Sequence, residues 1–251
     1  MSYLAAACII LQVLSSSACK ATEGTDRRPV TGQDNVARPR TNGMDPELTR
    51  LIKTFSEDVG ENGRAAWQRL QSYPREDLIN SLLKLRHDLP KDSPMQYSIA
   101  FVLCNVNYEY QANVRVIVSA LTKVPHEQNY DADSAASMLG RLIHRGDKEL
   151  LRVLFGAVPW SDGALAEGLS DAFSEELRSE PKEFLTRLKN EPKDTRSKIY
   201  TLIASGLLNA KDLQNLKGQL ASLPRTSPIF QVAKELLASE VFKNSLPGPS
   251  N

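Results

Sequence analysis

The sequence predicts an all-α fold of helix pairs stacked in series. Three observations lead there. Apolar residues recur at helical spacing from Asp45 to Asn244, the breaks fall at Pro, Gly and Asx residues, and apolar positions repeat at about 36 residues. Only Val114 to Val118 looks strand-like, and a single run of that kind has no partner to pair with.

The first helix is announced by Asp45-Pro46-Glu47, an N-cap followed by Pro at the first helical position. Leu48, Leu51, Ile52, Phe55 and Val59 then follow on one face, and Gly60 stands where a helix-ending glycine belongs. Ser93-Pro94 and Ser227-Pro228 repeat the start signal, with Asp147 and Asp194 as simpler caps. Leu70, Val106, Leu142 and Leu177 are spaced by 36, 36 and 35 residues. Four residues before each lie Ala66, Val102, Met138 and Phe173, and eight after lie Leu78, Val114, Leu150 and Leu185.

These positions define four units of helix, short turn, helix: Gly63–Ser72 with Arg75–Asp88, Met95–Asn105 with Ala112–Val124, Ala132–Arg145 with Lys148–Ala157, and Gly163–Arg178 with Lys182–Asn190. The helix Asp45–Val59 precedes them, and Ser197–Ala204, Lys211–Ala221 and Ile229–Phe242 follow as end caps. One such pair cannot cover its own apolar stripe, whereas stacked neighbours share a continuous core. Over about residues 63–190 the pattern resembles an α-solenoid of the HEAT-like kind, at the level of periodicity. Trp67-x-x-Leu70 is similar to the opening of a tetratricopeptide repeat, but Gln71 and Pro74 stand where that motif needs Gly and Tyr. The alternative is an irregular helical bundle.

The ends read as something other than fold. Tyr3 to Leu14 is apolar except for Gln12, a length that suits a signal peptide and is too short to span a ~30 Å hydrocarbon core. Ser15-Ser16-Ser17-Ala18 supplies small residues for cleavage, although no Lys or Arg precedes the run, which leaves an upstream start open. Ser17-Ala18-Cys19 resembles the lipobox of bacterial lipoproteins, which implies Cys19 as the acylated residue. Ser16 departs from the Leu or Val usual in that family, and the nearest leucine is Leu14. Lipidation at Cys19, a simple cut after Ala18 and a cytosolic buried helix are the three readings of this segment.

The expected organisation is therefore a signal peptide over residues 1–18, a tether over 19–44, a helical body over 45–244 and an unstructured tail over 245–251. The tether is poor in apolar residues and carries a net +2, from Lys20, Arg27, Arg28, Arg38 and Arg40 against Glu23, Asp26 and Asp34. Membrane attachment is expected only through an acylated Cys19.

Composition excludes several function classes. Of the 251 residues, 31 are Lys or Arg and 30 Asp or Glu, so no charge excess points to nucleic acid or an anionic membrane. Three cysteines cannot staple a disulfide scaffold, and Cys104, in an apolar run, is expected to be a small buried hydrophobe. Aromatics make up 6%, which limits stacking platforms for bases or sugars.

The catalytic motifs are thin. His87 and His144 fall in the last turns of helices, His126 lies in a connection, and no HExxH or cysteine pair occurs. Asp131-Ala132-Asp133-Ser134 lacks the glycine and glutamate of a calcium loop, so its aspartates are expected to cap the next helix. Glu57-Asp58 and Glu175-Glu176 are neighbours about 100° apart on a helix, cannot act jointly as acid and base, and are expected to be solvated. Ser81-Leu82-Leu83-Lys84 matches the S-x-x-K string of penicillin-recognising enzymes, but Ser81 is mid-helix and no K-T-G partner exists. Gly168-Leu169-Ser170 lacks the closing glycine of a nucleophile elbow, and no phosphate-binding glycine motif or other cofactor signature is present.

Tyr108, Tyr110, Tyr130 and Trp160 lie near predicted turns and form the candidate contact patch for a protein partner. The plainer reading is that these rings cover helix ends. The sequence thus points to an exported or lipid-anchored, non-catalytic protein-interaction module or scaffold. The rivals are an enzyme or ligand-binding helical domain whose site assembles from scattered residues, and a structural envelope component.

Overall fold

A computed structural model describes residues 45–58, 60–123, 131–206 and 209–243. Every regular element among them is helical, so the fold is all-α. The chain divides into two compact units that meet between Tyr110 and Gln111. Residues 1–44, expected to hold the signal peptide, Cys19 and the tether, lie outside the described residues, as do His126, Tyr130 and the expected tail.

The first unit holds α1 (Pro46–Glu57), α2 (Glu61–Gln71), α3 (Arg75–Asp88) and α4 (Met95–Asn105). Asp45 caps α1 as its sequence requires: its carboxylate accepts from the backbone N–H of Glu47 at 2.9 Å and of Leu48 at 3.4 Å, worth about 1 kcal/mol. Gly60 does not close α1. It opens α2, and its N–H donates to the Asp58 carboxylate at 2.6 Å. The tight residue is Gly63, where a β-carbon would lie 1.6 Å from the Asp58 carbonyl oxygen.

Apolar stripes from all four helices form one core, including Leu48, Ile52, Leu70, Leu82 and Leu103. Trp67 belongs to it through a triad of rings, with centroids 5.3 Å from Phe55 and 5.3 Å from Phe101. Cys104 is buried as expected, with its Sγ 3.7 Å from the carbonyl oxygen of Tyr110. Asn107, at φ 54°, ends α4, and the Tyr108 N–H reaches back to the Leu103 carbonyl at 3.0 Å. Asn tolerates this left-handed position better than other residues with a β-carbon.

The second unit contains most of α5 (Tyr110–Lys123), then α6 (Ala132–His144), α7 (Leu151–Ala157), α8 (Gly163–Ser179), α9 (Pro181–Leu188), α10 (Lys193–Ser205), α11 (Ala210–Ala221), α12 (Phe230–Leu237) and α13 (Glu240–Lys243). A 3-10 turn over Lys148–Leu150 leads into α7, and another over Val158–Trp160 leaves it. Val114 to Val118 is part of α5, where helical neighbours override β-branched propensity. Asp147 and Asp194 make no capping bond: Asp147 precedes the 3-10 turn without one, and Asp194 lies inside the first turn of α10, which starts after Pro192. Asp131 precedes α6 without a side-chain capping bond, and Asp133 lies inside its first turn, where Oδ1 is buried without a hydrogen-bond partner.

Helices α6, α8 and α10 lie side by side and parallel. A β-carbon on Gly140 of α6 would come within 2.8 Å of the Ala172 methyl on α8, and one on Gly168 within 2.7 Å of the Asp133 carbonyl oxygen. Further along, Ser170 of α8 donates to the Leu202 carbonyl of α10 at 2.7 Å, and Gly206 lies against Ser174. Gly140 and Ala172, Ser170 and Leu202, and Ser174 and Gly206 are each separated by 32 residues. Tyr200 of α10 keeps that step in donating to the Val232 carbonyl on α12 at 3.4 Å. Phe155 of α7, Phe173 of α8 and Phe184 of α9 meet beneath this layer, with ring centroids 5.5 to 6.1 Å apart.

The periodic positions are core positions. Leu70, Leu142 and Leu177 are buried, as are Ala66, Val102, Met138 and Phe173 before them and Leu78, Val114, Leu150 and Leu185 after them. Val106 is only half-buried because α4 ends one residue before it.

Candidate functional site

The aromatic candidates fall into different settings. Tyr108 is half-buried against the core of the first unit, and Tyr110 is half-buried at the start of α5. Trp160, at 36% exposure, is the exposed large hydrophobic side chain among the described residues of the second unit. It is held out by Pro159 and the 3-10 turn that closes α7. Burial of that turn through Val158 fixes the backbone, so the indole stands on a rigid support.

A second arrangement, absent from the sequence reading, gathers ionisable groups at the C-terminal end of α8. Glu176 is 2% exposed, which corrects the expectation that Glu175-Glu176 is solvated. Lys148 Nζ donates to its carboxylate at 2.6 Å and lies 3.6 Å from Glu180, four residues on and just past the end of α8. Next to Lys148, Glu149 pairs with Arg187 of α9, which also donates to Glu183 at 3.0 Å.

The electrostatics of this group are uneven. Burial pushes the Glu176 carboxyl above the ordinary glutamate range and Glu180 adds to the push, while Lys148 and, more weakly, His144 oppose it. The C-terminal end of a helix also disfavours a carboxylate. Burial opposes the charge on Arg187, yet Glu149 and Glu183 together hold its guanidinium above its usual range. The one sequence signal for this cluster is a charged residue inside an apolar stripe: Glu176 falls between Phe173 and Leu177, both fully buried.

A third polar group ties α10 to α12. Arg196 donates to both carboxylate oxygens of Glu235, at 2.9 and 3.1 Å, and to the Glu191 carbonyl at 2.7 Å. The neighbouring Tyr200 is raised to about 12, chiefly by burial and then by the Glu235 charge, with Arg196 opposing.

Among the described residues no three His, Cys, Asp or Glu side chains gather as a metal site. His87 and His144 stand exposed in the last turns of α3 and α6. Ser81 is mid-helix, and Ser170 spends its hydroxyl on the Leu202 carbonyl, so neither is arranged as a nucleophile. No helix among the described residues is long and apolar enough to cross a membrane. No protein-family model matches the chain, and no curated protein or solved structure shows significant similarity to it.

Proposed function

We propose that this chain is an exported, HEAT-like helical-repeat protein that works as a non-catalytic scaffold for a protein partner, with Trp160 at its contact edge. The observation that carries the reading is the constant step of 32 residues along α6, α8, α10 and α12. Stacking at a fixed step is how helix pairs share a core, and it leaves a row of turns as an extended surface. The burial of the periodic leucines supports the same reading. The step also continues beyond residue 190, so α10 to α13 belong to the series as further units rather than as plain caps.

The inference from stacked helices to binding rests on architecture, which alone never dictates function. Trp160 adds a chemical reason, since exposed aromatic side chains on rigid supports are the usual anchors of protein interfaces. Export follows from the apolar run Tyr3 to Leu14, and Cys19 is the acylation site if the lipobox resemblance holds.

The test is capture from envelope fractions by the tagged full-length chain, with the Trp160→Asp variant and a shuffled-sequence protein alongside. A partner retained by the parent chain and lost by the variant, at unchanged helical circular dichroism, supports the reading. Equal recovery by the shuffled protein overturns it. Export and anchoring are tested separately by detergent phase partitioning, in which Cys19→Ala shifts the protein to the aqueous phase if Cys19 is acylated.

A further inference from the structure

We propose that Lys148, Glu176 and Glu180 form a proton-operated latch that fastens the 148–150 turn to the end of α8. The geometry carries this inference. Lys148 is 15% exposed and reaches two carboxylates one helical turn apart, a buried one at 2.6 Å and an open one, 55% exposed, at 3.6 Å. The ammonium thus stands between two alternative acceptors, of which only Glu180 is well hydrated.

With Glu176 ionised, its carboxylate holds Lys148 in a charge-assisted bond, and the turn is fixed to α8. Adding a proton to Glu176 leaves Lys148 as the charged partner of Glu180 alone. No bond other than the O–H is made or broken, and the proton comes from solvent. Lys148 then moves toward the open carboxylate and the turn gains freedom at its outer edge. The direction of the Glu176 shift agrees with this, since burial disfavours its ionised form.

On α6 the facing group is His144, whose influence on Glu176 is weak, and the 3-10 turn supplies Lys148 and Glu149. On α9 stand Lys182, Glu183 and Arg187, and Arg187 bridges Glu183 and Glu149. The end of α10 carries no ionisable side chain after Tyr200, and it meets α8 at Ser174 through Gly206.

Linkage gives the sign. A carboxyl raised in the fold contributes most to stability below its unfolded value, and that contribution is lost as pH rises through the folded value. The fold as a whole is favoured by the protonated form, while the Lys148 contact is favoured by the ionised one. A plain stabilising ion pair would couple the two in the same direction.

The experiment follows the Glu176 side-chain carboxyl carbon and the Lys148 Nζ by NMR in the isotope-labelled full chain from pH 4 to 8. The expected result is a single shared midpoint above the ordinary glutamate range. Glu180→Gln, on the exposed side, should move that midpoint down, and Glu176→Gln should remove that midpoint from the Lys148 signal. Should Glu176→Gln fail to fold, the Glu180→Gln shift alone decides. A Glu176 midpoint at or below the ordinary glutamate range overturns the latch, as does a Lys148 signal that stays fixed while Glu176 titrates.

Discussion

Gly168 lies so close to the backbone of Asp133 that a β-carbon on it would sit 2.7 Å from the carbonyl oxygen and 3.3 Å from the Ala136 methyl. Because the obstacle is backbone, α8 cannot accept a side chain there without moving away from α6. Gly168→Ala should therefore destabilise the second unit by about 1–3 kcal/mol through overpacking. Gly218, inside α11 and exposed with nothing near its missing β-carbon, makes the control. Gly218→Ala should stabilise by about 0.5–1 kcal/mol, because alanine has the higher helix propensity. Thermal melts of the two variants should shift in opposite directions, and a shift in the same direction would contradict the close approach.

Leu142 is 2% exposed at the end of α6, whereas Val106, its sequence equivalent, is half-buried after the end of α4. Leu142→Ala should cost about 2–5 kcal/mol in urea unfolding, the transfer term plus the cavity. Val106→Ala should cost clearly less. Equal losses would mean that the two positions share an environment, contrary to their burial.

Tyr200 keeps its proton well past the ordinary tyrosine range, at about 12. Its folded value lies above its unfolded one, so its contribution is complete below about pH 10, the reference value for tyrosine, and is lost as pH rises toward the folded value. Ultraviolet titration should reveal one late-ionising tyrosine that disappears in Tyr200→Phe. In that variant the stability should also fall less steeply above pH 10.

Arg196 and Glu235 form a two-pronged bond at 15% and 23% exposure. A double-mutant cycle with Arg196→Met and Glu235→Gln should give a coupling of about 1–2 kcal/mol, larger than for an open surface pair. Arg196→Lys should not restore it, since an ammonium cannot present two parallel donors and also reach the Glu191 carbonyl.

Much of the helical order was legible because apolar spacing and proline positions act locally. The Asp45 cap, the burial of Cys104 and the core role of the periodic leucines all follow from such short-range signals. Gly60 was misread because a glycine after an apolar run can end one helix or begin the next, and only the Asp58 side chain decides between them. The burial of Glu176 was hidden for a different reason. Two adjacent glutamates on a helix look alike in sequence, yet a 100° rotation sends Glu175 outward and Glu176 between α8 and Lys148. The 32-residue step was invisible too, because it combines the sequence period with the stagger of parallel helices.

The second unit keeps one pitch across contacts of different chemistry. Its interfaces share a spacing but not a fit: Gly140 receives a methyl from Ala172, whereas Gly206 receives the hydroxymethyl side chain of Ser174. Helix α8 thus presents a different side chain to each of its two neighbours. Swapping Ala172 and Ser174 would preserve the pitch and alter both contacts, so the order of residues on α8 matters as much as their spacing.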